Sequence, residues 1–95
     1  MMNEIREYWV AVRDSDNYEI SNIGRVRNKK TGRILSPQYN RDNGYLRVTI
    51  DTGRHYVHRL MIQSFFDLGD NKCIIKHRDG DHANNFLPNL EVINE

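Results

Sequence analysis

The chain has 95 residues, 38% hydrophobic and 28% charged, with a net charge of +1; that length makes one modest domain, able to bury about two thirds of the surface its unfolded chain exposes. The lone Cys73 excludes an internal disulfide and a CxxC zinc framework and fits a reducing compartment. No apolar run nears the roughly 20 residues that cross a bilayer, and Met1-Met2-Asn3-Glu4 opens no signal peptide, so the expectation is a soluble cytoplasmic protein with no membrane partner.

Trp9-Val10-Ala11-Val12 is a short apolar run, closed by the turn cluster Asp14-Ser15-Asp16-Asn17. Tyr18-Glu19-Ile20 alternates as a strand does, Ser21-Asn22 breaks it, and Gly24-Arg25-Val26-Arg27 resumes it. A turn at Lys30-Thr31-Gly32 leads into a further expected strand, Arg33-Ile34-Leu35, which Pro37 ends. The clearest strand runs from Tyr45 to Ile50: Leu46, Val48 and Ile50 share one face, Tyr45, Arg47 and Thr49 the other. Asp51-Thr52-Gly53 then turns the chain into a hairpin partner at Arg54 to Val57.

The period changes after that hairpin. Leu60, Met61, Ser64 and Phe65, widened by Ile62 and Phe66, recur at helical spacing and predict an amphipathic helix over about residues 58–66, with Gly69 as its stop. Cys73-Ile74-Ile75 and the segment Leu90 to Ile93 are β-prone and can pair across a long loop that begins with a turn at His77 to Gly80.

Charge is unevenly placed. Residues 1–60 carry eleven basic against seven acidic side chains, and residues 61–95 three against six. Arg25, Arg27, Lys29, Lys30 and Arg33 have no acid among them and span two predicted strands and their turn, which makes either a phosphate-binding ridge or an ordinary solvated hairpin. Arg47, Arg59 and Lys76 complete the nucleic-acid-binding candidates; Tyr39, Tyr45 and Tyr56 lie near arginines, where they stack on bases or pack a strand face.

Two stretches carry a family resemblance. Tyr8-Trp9, Tyr18 to Arg27 and Gly44-Tyr45-Leu46 resemble a nuclease-associated modular (NUMOD-type) segment. Val57-His58-Arg59-Leu60, His77-Arg78-Asp79-Gly80, Asn84-Asn85 and Asn89-Leu90-Glu91 resemble the ββα-metal (HNH) motif of homing endonucleases. The resemblance implies one domain over residues 1–95: a NUMOD-like β-rich part (1–56) and an HNH-like part (57–95). It also implies a phage or mobile-element origin.

In that family the histidine matching His77 is the general base that activates water, while one divalent ion polarises the scissile phosphate. The first ligand precedes the base, where this chain has Lys76, whose ammonium only donates and repels a cation. The second comes from a helix about twenty residues further on, for which residues 78–95 leave no room. Asp79, Asp81 and His82 are weak substitute ligands beside His77. His58, Asp79, Gly80 and Asn89 have structural parts in the motif: His58 is expected buried at its base, Asp79-Gly80 in turn chemistry, and Asn89 tying the loop to the hairpin.

The fold class expected is α+β, a small antiparallel sheet with one main helix and a truncated HNH-like hairpin lacking its last helix. The function expected is non-catalytic binding, with no cofactor, to nucleic acid through the basic front or to a protein of the host's nucleic-acid or defence machinery through the acidic back. The alternative is an active Mg2+- or Mn2+-dependent nuclease with His77 as base. A strand ending near Glu95 leaves an edge that could pair in a homodimer.

Overall fold

The computed structural model describes residues 6–66 and 73–93. Its elements follow the order of the hydrophobic pattern. β1 (Trp9–Ala11), β2 (Tyr18–Ser21) and β3 (Val26–Asn28) form one antiparallel sheet in the order β1-β2-β3. β4 (Gln38–Tyr39), β5 (Leu46–Ile50) and β6 (Gly53–Tyr56) form a second, and after α1 (Val57–Phe66) the hairpin of β7 (Ile74–His77) and β8 (Leu90–Ile93) makes a third. The class is α+β as expected, with the strands in three small sheets rather than one.

Local chemistry explains three differences from the expected elements. Arg33-Ile34-Leu35 forms no strand: Ile34 makes one isolated bridge to Arg27 and the Leu35 amide donates to Val26 O, after which Pro37, lacking an N–H, cannot extend the ladder. The chain re-enters a sheet just beyond the proline, at β4. In the central hairpin Gly53 pairs directly with Ile50 at φ 120°, so Asp51 and Thr52 alone make the turn, and Val57 opens the helix instead of closing the strand. The helix stop expected at Gly69 and the free edge expected at Glu95 lie outside the described residues.

α1 packs on both three-stranded sheets, touching β1 and β2 on one side and β5 and β6 on the other. Its buried residues are Val57, His58, Leu60, Met61 and Ile62, whereas Phe66, expected in the apolar stripe, is exposed. The core joins Val12, Ile20 and Val26 from the first sheet, Val48 and Ile50 from the second, and Cys73, Ile75 and Leu90 from the hairpin. Strand alternation sets which side of the hairpin faces that core: Ile75 and His77 point in, Ile74 and Lys76 out. Among the described residues no helix is long and apolar enough to cross a membrane.

The connection from Gly80 to Leu87 is fixed to the β2–β3 and β4–β5 turns at two points. Asn22 O accepts from the Leu87 amide at 2.8 Å, and His82 Nδ1 donates to Asn43 O at 2.7 Å. Asn22 is itself buried, its Oδ1 accepting from the Tyr8 amide and its Nδ2 donating to Arg6 O. One asparagine thus joins the N-terminal segment, the β2–β3 turn and the hairpin loop.

Candidate functional site

His77 ends β7 with its ring turned inward and only 4% exposed. It lies in a pile of rings: Tyr45 stacks on His82 at 4.6 Å between centroids and lies 4.5 Å from His58, and His77 is 5.4 Å from His58 and 5.5 Å from His82. His77 Nε2 is 2.9 Å from Asn85 Oδ1. An amide oxygen only accepts, so Nε2 carries the hydrogen, and in the neutral imidazole Nδ1 then keeps the lone pair. His58 is as buried as expected, and desolvation, reinforced by the neighbouring charges of His77, Arg59 and His82, lowers its pKa to about 4.

The loop that follows is held by side chains, because its backbone joins no sheet. Asp79 Oδ1 accepts from the Asp81 amide and from Asn89 Nδ2, both at 2.9 Å, and its Oδ2 accepts from Asn84 Nδ2 at 2.7 Å. These bonds, with that from Asn84 foremost, hold the carboxyl near pKa 2. Asn89 Oδ1 accepts from the Asp79 amide and its Nδ2 donates also to Asn84 O, while Gly80 takes φ 77°.

A divalent ion of the kind the HNH motif implies does not fit the described residues. Among them no three His, Cys, Asp or Glu side chains gather as a ligand set. Asp79 spends its oxygens on three donors, Asp81 Oδ1 accepts from the Ala83 amide, and His82 Nδ1 is bonded to Asn43 O. Lys76, beside His77 in sequence, points to the opposite, exposed face. Asp79 is thus engaged at both oxygens, and the bonds at Asp81 Oδ1 and His82 Nδ1 tie those side chains to the loop and to the β4–β5 turn.

The basic ridge divides into two parts. Arg25 pairs with Glu7 and Arg27 with Glu19, and the Arg27 guanidinium sits 4.0 Å over the Trp9 ring. Arg59 donates to Cys73 O, and Arg47 buries its Nε without a hydrogen-bond partner. Lys29, Lys30 and Arg33, around the β3 turn, remain exposed and, among the described residues, have no ion pair. On the outer face of the hairpin Lys76 is exposed opposite Glu91, which pairs with Arg78 at 3.6 Å.

Sequence reasoning missed four participants. Asn85 was visible only as half of an Asn-Asn pair; its contact with His77 spans eight residues of irregular loop, which no periodicity reveals. Glu7 and Glu19 neutralise arginines 18 and 8 residues away. Gly24, at φ 98°, lies so close to the loop that an added Cβ would come within 2.9 Å of Asn85 Cβ.

Residues 7–51 match the NUMOD4 motif. The chain is 34% identical over 90 residues to an uncharacterized HNH endonuclease of Acanthamoeba polyphaga mimivirus, a match covering 90% of this chain and 27% of that protein. It is 31% identical to the DNA endonuclease I-HmuI of Bacillus phage SP01, over 83% of this chain and 47% of that enzyme. The solved structure of I-HmuI, which describes DNA binding and cleavage by that HNH homing endonuclease, superposes with a TM-score of 0.77 at 30% identity, over 90% of this chain and 52% of the other. The chain thus spans about half, or less, of the length of the relatives it matches.

Proposed function

We propose, from the premise that this chain is related to the HNH homing endonucleases and carries a NUMOD4 motif over residues 7–51, that it binds duplex DNA and that its described residues do not cut it. The observation that carries this reading is the pairing of a retained histidine with an exposed lysine where the motif needs a metal ligand: His77 is buried and bonded to Asn85, and Lys76 faces solvent.

Cleavage of a phosphodiester needs a base that reaches water and a cation at the developing charge. The second requirement has no ligand set among the described residues. Lys76 offers a positive charge to a backbone phosphate from the face of β7 opposite His77. Lys29, Lys30 and Arg33 supply others, whereas Arg25 and Arg27 are neutralised by Glu7 and Glu19 and contribute less.

The test is fluorescence anisotropy of the full chain on random duplex DNA over a salt series. Phosphate neutralisation makes log K fall linearly with log salt, by about 0.9 per phosphate contacted. A steep slope supports the reading. Binding that is absent, or flat against salt, rejects it and favours a protein of the host's nucleic-acid or defence machinery as the partner.

A second reading, an active nuclease with His77 as general base, is favoured by one observation. The acceptor at Nε2 leaves Nδ1 with the lone pair a base needs. His77-dependent nicking of plasmid DNA would establish it.

A further inference from the structure

We infer that Asn85 is a positioning residue that fixes the tautomer of His77, and that the N-terminal sheet holds Asn85 in place through Gly24. This goes beyond DNA binding, which does not require it.

Asn85 is 4% exposed, and its Oδ1 meets His77 Nε2 at 2.9 Å while its Nδ2 is buried without a hydrogen-bond partner. A residue kept only for packing would be apolar here, since a buried donor left unpaired costs stability that Leu or Met would not. What the amide adds is an acceptor for one particular imidazole nitrogen. Among the described residues the rings around His77 make no hydrogen bond to it, so they do not choose between its nitrogens. Asn85 makes the choice.

The loop around Asn85 is irregular, and the N-terminal sheet gives it a backstop. Gly24 approaches Asn85 so closely that a Cβ would lie 2.9 Å from Asn85 Cβ and 3.1 Å from its carbonyl oxygen. The same turn accepts the Leu87 amide on Asn22 O. The NUMOD4 part is therefore in contact with the group that orients the histidine, so a displacement of the β2–β3 turn would reach His77 through one residue.

Imidazole 15N spectroscopy on the labelled full chain, carried to the alkaline end of a pH series so that the neutral ring is read, tests this. The parent protein is expected to show His77 with a protonated Nε2 and a bare Nδ1. Asn85→Asp, which keeps an acceptor, retains the protonated Nε2. Asn85→Leu, which keeps the volume and loses the acceptor, lowers the Nε2–H share toward the intrinsic tautomer ratio of a free neutral imidazole, and Gly24→Ala moves it in the same direction. A bare Nε2 in the parent would overturn the inference, as would an Asn85→Leu spectrum matching the parent. The parent measurement needs no substitution, so the inference stays testable if a variant does not fold. It is also independent of whether the chain binds DNA.

Discussion

Asp79 and Asn89 hold each other twice. The Asp79 amide donates to Asn89 Oδ1 at 3.1 Å, and Asn89 Nδ2 donates to Asp79 Oδ1 at 2.9 Å, ten residues apart in sequence. With the Arg78 amide bonded to Asn89 O, this closes the long loop between β7 and β8 at its base. Asn89→Ala removes both bonds and the one to Asn84 O, with an expected loss of about 1–3 kcal/mol. Urea unfolding checks the magnitude, and faster hydrogen exchange at Asp79 and Asp81 checks the location.

The same carboxylate gives the loop an acid limit. Its bonds from Asn84, the Asp81 amide and Asn89 hold Asp79 near pKa 2, below the ordinary 3.8. The stabilisation is thus complete above about pH 4 and lost as pH falls from there through about 2. A proton titration should show Asp79 protonating well below the ordinary 3.8, and Asn84→Ala should raise its pKa.

His58 acts over a different window. Burial holds it neutral with a pKa of about 4 against an ordinary 6.5, and the rings of Tyr45, Tyr56 and His77 contact it with Arg59 and His82 as further charged neighbours. The unfolded chain binds this proton more readily than the folded one, so stability is full above pH 6.5 and declines as pH falls from 6.5 to about 4. The drop is at most on the order of 3 kcal/mol. His58→Phe should flatten that part of the stability–pH curve; an unchanged slope would refute the assignment.

Two buried side chains measure how the sheets are joined. Leu60→Ala opens the core under α1 and should cost about 2–5 kcal/mol. Asn22→Ala leaves the Tyr8 amide and Arg6 O without their partners and should cost about 1–3 kcal/mol. Thermal and urea melts distinguish this from a surface role, for which both values would be near zero.

The parts of this fold that were legible in the sequence are those with a period. Leu46, Val48 and Ile50 alternate and form the buried face of β5, and Leu60 and Met61 fall on the buried side of a helix beginning one residue before the expected start. Arg33 to Leu35 misled because the composition suits a strand while Pro37 and the single bridge at Ile34 do not allow a ladder. His77, Asp79 and Asn89 were found because the turn chemistry of Asp-Gly and the family motif both mark them. Asn85 and Gly24 were not, since their significance lies in a contact between distant irregular segments. The basic cluster was visible as charge, but Glu7 and Glu19, which cancel part of it, are near it only in the folded sheet.

That cancellation separates the arginines from the lysines. Replacing Lys29, Lys30 and Arg33 by Ala should flatten the salt slope of DNA binding by about 0.9 for each phosphate no longer neutralised, whereas Arg25→Ala should change it little. Equal effects from both would show that the ion pair with Glu7 opens on binding.

The most direct measurement of the central claim is a supercoiled plasmid incubated with the full chain in Mg2+ or Mn2+ and run both on a native gel and, after protein removal, on a denaturing one. The account predicts retarded mobility on the first and intact supercoiled DNA on the second. Nicked circles that disappear with His77→Ala would contradict it.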